Sequence, residues 1–126
     1  MSNKVIFKID AAPISTNRIW LQNYKTRHTY LNPDYKVFRQ LVALTLRGTR
    51  MPDDWKFVDV KIVVHPKRRT GDPDNFIKAV LDSLTKAGFW EDDRVVASVS
   101  SSFGSPDKQG WTLVELTPTD SKFSDG

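Results

Sequence analysis

The sequence predicts one α+β (α/β mixed) domain, a mixed sheet of about four strands with two main helices packed on it. Three observations carry that expectation. Phe57 to His65 alternates with period two, and the stretches Phe38–Leu46 and Phe76–Leu84 place apolar residues at helical spacing. Strand-like and helix-like stretches also follow one another along the chain. At 126 residues the chain fits one compact domain and is short for two.

Taken in order, Val5 to Ile9 (VIFKI) reads as a short strand. Ala11 to Leu31 carries Pro13, Asn17 and Asn23, shows no sustained periodicity and reads as a loop-rich arm. The first helix opens with Asn32 as cap, Pro33 at the first helical position and Asp34 at the positive end of the dipole. Phe38, Leu41, Val42, Thr45 and Leu46 share its inner face, and Gly48 supplies the stop. In FVDVKIVVH, Val58, Val60, Ile62 and Val64 face the core, Asp59 and Lys61 face away, and Pro66 closes the strand. A second helix is expected from about Pro73 to Ala87, ended by Gly88. Arg94 to Phe103 and Trp111 to Thr117 read as strands joined by a turn with Gly104, Pro106, Asp107 and Gly110, hence a C-terminal antiparallel hairpin. The domain is expected over 1–117, with a polar, disordered tail over 118–126.

Composition narrows the function. No apolar run approaches the roughly 18 residues that a membrane span needs, and the first residues show no signal-peptide pattern. The chain has no cysteine, so disulfides and thiolate zinc sites are excluded. A cytoplasmic location is the expectation. Net charge is +4, but its distribution says more. Thr16 to Arg50 holds seven basic residues and one acid, whereas Asp72 to Asp93 holds six acids and two lysines. That distribution reads either as two ordinary solvated faces or as a polyanion-binding surface with a cation site set inside it.

The acids lie in GDPDNFIKAVLDSLTKAGFWEDDR, residues 71–94. The simplest reading makes Asp72 a helix cap and Asp74, Lys78 and Asp82 an exposed ladder at spacing four. A second cluster, Glu91-Asp92-Asp93, follows beside Phe89 and Trp90, which would anchor that loop. Paired carboxylates with open positions suit magnesium, and a lysine such as Lys78 suits developing negative charge. An EF-hand loop from Asp72 would need Gly and Glu where Ile77 and Ser83 stand. Zinc lacks ligands, since His28 and His65 are far apart, and His65 reads as structural. A helix over 73–87 is about 22 Å long, and residues 88–93 can stretch back about 17 Å. Convergence within one chain, the arrangement expected, therefore needs the FWEDD loop to run back along the helix; the alternative is a site completed by a second subunit.

GDPDN with Lys78 and Asp82, the run LTKAGFWEDDRVV, and the N-terminal APISTNR together resemble the RusA family of Holliday-junction resolvases. The resemblance covers Pro13 to the final strand and is most specific over residues 71–95. It implies a magnesium-dependent homodimeric endonuclease, with manganese as a substitute ion, that cuts four-way DNA junctions by paired symmetrical nicks in recombination and repair. Phage or prophage origin is common in that family. Asp72, Asp74 and Asp93 match its metal-binding catalytic acids and Lys78 its catalytic lysine; Asn75, Asp82 and Asp92 are expected to support them. Glu91 departs from the pattern, adding an acid where the family often has an uncharged residue. On this reading Arg68 and Arg69 grip phosphates flanking the cut, and Arg18, Lys25 and Arg27 extend the grip over the arms. Two alternatives stay open: a non-catalytic module that binds branched nucleic acid, and a nuclease of the same chemistry preferring flaps or forks.

Overall fold

The computed structural model describes residues 4–68 and 71–120. Strand β1 (Val5–Ile9) leads through a 3-10 turn (Thr16–Arg18) to a small ribbon of β2 (Trp20–Gln22) and β3 (Thr29–Leu31). Helix α1 (Pro33–Leu46), strand β4 (Phe57–His65), a 3-10 turn (Pro73–Phe76) and helix α2 (Ile77–Lys86) follow. A last 3-10 turn (Asp93–Val95) precedes β5 (Val96–Phe103) and β6 (Trp111–Thr119). The expected mixed four-stranded sheet forms in the order β1-β6-β4-β5, with β5 parallel to β4 and the other neighbours antiparallel.

The predicted alternation of β4 is realised: Val58, Val60, Ile62 and Val64 are buried, as are Val114 and Leu116 of β6. Phe38, Val42 and Leu46 of α1 and Val80 and Leu84 of α2 share one core with them. Leu41 packs at its margin, while Thr45 turns outward and donates to the Leu41 carbonyl. Asn32 caps α1 as its sequence dictates, its side-chain oxygen accepting from the Asp34 amide. The helix ends on Arg47, itself left-handed at φ 43°, just before Gly48.

Three expectations are corrected. The arm is not a plain loop, because β2 and β3 pair there as an antiparallel ribbon; strands this short carry no readable period. The expected hairpin of β5 and β6 is not a neighbour pair, although the two strands do run in opposite directions. Residues 104–110 step over the end of β4, where the Gly104 amide donates to the Val64 carbonyl and the Asp107 amide to the Pro66 carbonyl. That step lets β6 enter between β4 and β1 and bury both its edges. Strand β6 also takes in Pro118 and Thr119, which the expected boundary left to the tail; residues 121–126 of that tail lie outside the described residues. Among the described residues, no helix is long and apolar enough to cross a membrane.

Candidate active site

The acidic motif begins where β4 leaves the sheet. Gly71 has φ 72°, a conformation that a side chain resists, and it turns the chain into PDNF. That stretch is a 3-10 turn and not the first turn of α2, which starts only at Ile77. Two contacts fix it. The Ser101 hydroxyl donates to the Pro73 carbonyl at 2.8 Å, and Phe76 meets Phe103 edge-on with ring centroids 6.0 Å apart. The Thr16 hydroxyl donates to the Asn75 carbonyl at 3.0 Å, tying the arm to the same turn.

Asp72 occupies the cap position, yet its side chain makes no capping bond. The helix-cap explanation of this residue therefore fails, and its carboxylate, like that of Asp74, is exposed. The ladder of Asp74, Lys78 and Asp82 does not form either. The tighter 3-10 winding takes Asp74 off the register that would set it one turn from Lys78, and among the described residues Lys78 is in no ion pair. Asp82 is half-buried, and its charge reaches Tyr35 across the α1–α2 contact. There burial, first, and Asp82, second, raise the Tyr35 phenol above its ordinary value, against the Arg39 guanidinium. Asp82 thus faces the contact between the two helices.

The double aspartate separates into two roles. Asp92 caps its 3-10 turn, accepting from the Arg94 amide at 2.9 Å, and pairs with the Arg94 side chain at 3.5 Å. The Asp93 carbonyl accepts from the Val96 amide, while its carboxylate has no hydrogen-bond or ion-pair partner among the described residues. Phe89 and Trp90 are buried as expected, and the Trp90 indole donates to Thr85 at 2.7 Å.

The single chain does not gather the three carboxylates. Among the described residues, no group of three His, Asp or Glu side chains is placed to hold a metal ion. The cause lies in the sheet. Parallel pairing aligns Val96 with Val58, so β5 starts beside the start of β4, whereas the Asp72–Asp74 turn follows the end of β4 and touches Ser101. Val96 and Ser101 are about 17 Å apart at strand rise. The FWEDD loop therefore does not run back along the helix; α2 spans the sheet, with Asp72 and Asp74 beyond one end and Asp93 at the other. Two separate cavities mark those ends. One, of about 320 Å³, is lined by Arg18, Asp34, Gly71, Asn75 and Phe76 among others, its carboxylate being that of Asp34 and not of Asp72 or Asp74; the second, of about 570 Å³, includes Phe57, Glu91, Asp92 and Arg94 but not Asp93. The oxygen donors of Asp72 and Asp74 suit magnesium in kind, but they are two of the three carboxylates that the motif implies.

Of the basic residues expected to meet DNA, Arg18 stands beside the acidic motif in the structure. Arg18 lines the first cavity, and Lys25 and Arg27 sit exposed at the tip of the β2–β3 ribbon. Arg68 is exposed just before the motif, whereas Arg69 lies outside the described residues. Sequence reasoning missed Thr16 and Ser101, the hydroxyls that fix the acidic turn. A serine-rich stretch, SVSSSF, in an otherwise apolar strand was the available signal for the second.

Known proteins resemble the chain over most of its length. The chain is 37% identical over 86 residues to the crossover junction endodeoxyribonuclease RusA of Enterobacteria phage 82, covering 67% of this chain and 70% of that protein. It is 37% identical over 91 residues to the protein of the same name from Escherichia coli strain K12, with the same coverage, and 36% identical to that of Shigella sonnei strain Ss046. The model of the family described as endodeoxyribonuclease RusA matches residues 10–116, which takes in the arm, the acidic motif and the sheet apart from β1 and the last three residues of β6. By that match, and by these identities, the chain belongs to the RusA family of endodeoxyribonucleases.

Proposed function

We propose that this protein is a magnesium-dependent endonuclease that resolves four-way DNA junctions by paired symmetrical nicks, acting as a homodimer on recombining or damaged DNA in the cytoplasm. The observation that carries the reading is the pair of uncommitted carboxylates, Asp72 and Asp74, on a turn that Thr16 locks to a cationic arm. The ends of α2 are too far apart for one chain to close the cage, so the third carboxylate is Asp93 of the partner subunit. A two-fold enzyme of this kind carries two equivalent sites and matches the two-fold symmetry of a four-way junction.

In such a site Asp72 and Asp74 hold the ion, with Asn75 and the Ser101 and Thr16 bonds fixing their turn. The chemistry that magnesium supplies when bound is a more acidic water and charge neutralisation at the phosphate. Lys78, on the first turn of α2 and without an acid partner among the described residues, meets the negative charge that builds on the scissile phosphate. Arg18 and Arg68 hold the flanking phosphates, and Arg69, by its place in the chain, joins them. Asp92 keeps the loop that carries Asp93 in shape.

The test compares a mobile four-way junction, a flap, a fork and a linear duplex, each with magnesium or manganese. The native protein should nick the four-way junction fastest, in symmetrical pairs. Asp74→Asn should end cutting while junction binding stays or tightens, because a repulsive charge has gone. A native protein that binds junctions and never nicks them would refute the reading, and faster cutting of flaps or forks would replace the substrate.

A further inference from the structure

Of the six large hydrophobic side chains exposed among the described residues, three lie in the eleven residues from Trp20 to Tyr30: Trp20 at 61%, Tyr24 at 89% and Tyr30 at 46%. The ribbon that carries them is thin and two-sided. Trp20 pairs with Leu31 and Tyr30 with Leu21, so the two rings stand on opposite faces, while Tyr24 sits in the turn at the tip. The turn is firmly built. The Asn23 side chain accepts from the Lys25 amide at 3.0 Å, the Asn23 carbonyl from the Arg27 amide at 2.7 Å, and the Asn23 amide donates to the His28 carbonyl at 2.9 Å. The base is fixed as well, by buried Ile19 and by the Asn32 amide, which donates to the Ile19 carbonyl at 2.8 Å.

The charge around these rings has one sign. From Ala11 to Pro33 there is no Asp or Glu, whereas Arg18, Lys25 and Arg27 are all exposed and lack an acidic partner among the described residues. The family match makes DNA the polyanion this ribbon meets. Nucleic acid with unpaired bases satisfies both rings and cations, since bases stack on the rings while the adjoining phosphates meet the cations. An aromatic ribbon exposed on both faces also suits insertion between base pairs, where each face meets a base. The ribbon emerges directly from the 3-10 turn whose Thr16 is bonded to Asn75, so it stands next to the acidic motif.

We infer that the β2–β3 ribbon is a stacking wedge, with Trp20, Tyr24 and Tyr30 binding bases unpaired at the branch point and so selecting branched over continuous DNA. This deepens the junction reading and rests on it for the identity of the natural substrate.

The test uses the full chain carrying Asp74→Asn, with three DNAs holding 2-aminopurine at a defined position: a four-way junction at its branch point, a duplex with a mismatched bubble, and an intact duplex. The protein with its native ribbon should change the 2-aminopurine signal in junction and bubble and leave the duplex signal alone. The trio Trp20→Ala, Tyr24→Ala, Tyr30→Ala should abolish that change and lower the junction-to-duplex affinity ratio about tenfold or more. The trio Trp20→Phe, Tyr24→Phe, Tyr30→Phe keeps the rings and should retain most of both. If the alanine trio does not fold by circular dichroism, Tyr24→Ala alone, at the most exposed ring, should lower the ratio about fivefold. An affinity ratio within twofold of the parent, a phenylalanine trio as weak as the alanine trio, or a loss of dimer in place of a loss of stacking would each overturn the inference. The two proposals fail separately. A protein with Asp74 restored that never nicks yet opens the bubble sinks only the nuclease reading, whereas one that resolves junctions with the alanine trio in place sinks only the wedge.

Discussion

If the cage is shared between subunits, a dimer assembled from two different defective chains should recover activity. Consider one chain with Asp74→Asn and its partner with Asp93→Asn. In the shared arrangement one site joins both substitutions, and the other combines an intact Asp72–Asp74 turn with an intact Asp93. The basis is the span of β5: about 17 Å from Val96 to Ser101 at strand rise, against the few ångströms across which carboxylates share one magnesium. The heterodimer, purified through two different tags, should nick at about half the rate of the native dimer, with one working site of two. A supercoiled plasmid with an extruded cruciform reads this directly. Paired cuts linearise it, and a lone active site gives mostly open circles. The reciprocal dimer, with both substitutions in one chain beside a native partner, should be inactive, because each site then holds one damaged ligand. If instead the first heterodimer is dead and the reciprocal one nicks, the cage closes within one chain and the reasoning from sheet register is wrong.

Three further outcomes follow from the fold. A methyl group at Gly104 would fall within the His65 imidazole, which is stacked on Trp111 at 3.8 Å, so Gly104→Ala should lower unfolding stability by about 1–3 kcal/mol in a urea titration. Junction affinity should fall steeply with salt, and removing either Lys25 or Arg27 should reduce the slope of log affinity against log salt by about one. Burial, and then Asp82, raise the Tyr35 phenol above 10.0, so the fold binds this proton more tightly than the unfolded chain does. The resulting stability is complete below the unfolded value and is lost as pH rises through the folded one. Tyr35→Phe should therefore flatten the decline of stability at alkaline pH; an unchanged decline would show that other groups cause it.

What the sequence revealed followed from local physics. The ends of β1 and β4 and the capped start of α1 were readable because alternation, Asn32-Pro33-Asp34 and Pro66 act within a few residues. The β2–β3 ribbon was hidden, since three-residue strands with exposed faces show no burial period. The 3-10 form of PDNF was hidden as well: Ser101, 28 residues away from Pro73, is among the contacts that hold it. In the candidate site, residue types were legible and their convergence was not. Asp72 and Asp93 mark the two ends of a crossover, and only the parallel pairing of β4 with β5 reveals that they part. The pairing of β5 with β6 failed for the same reason, because adjacency in sequence does not say which strand will slip between two others.

The central position of β6 has a consequence for biosynthesis. This strand is the last of the sheet to leave the ribosome, and it zips β1, from the opposite end of the chain, to β4, closing contacts such as Val5 with Leu116 and Phe57 with Thr119. Until it arrives, two long edges wait open and the nascent domain has no stable middle, a topology that folds late and slowly. A nuclease built this way cannot become competent piecemeal during translation, and a chain that stops before Trp111 would yield sticky half-sheets in place of a weakened cutter.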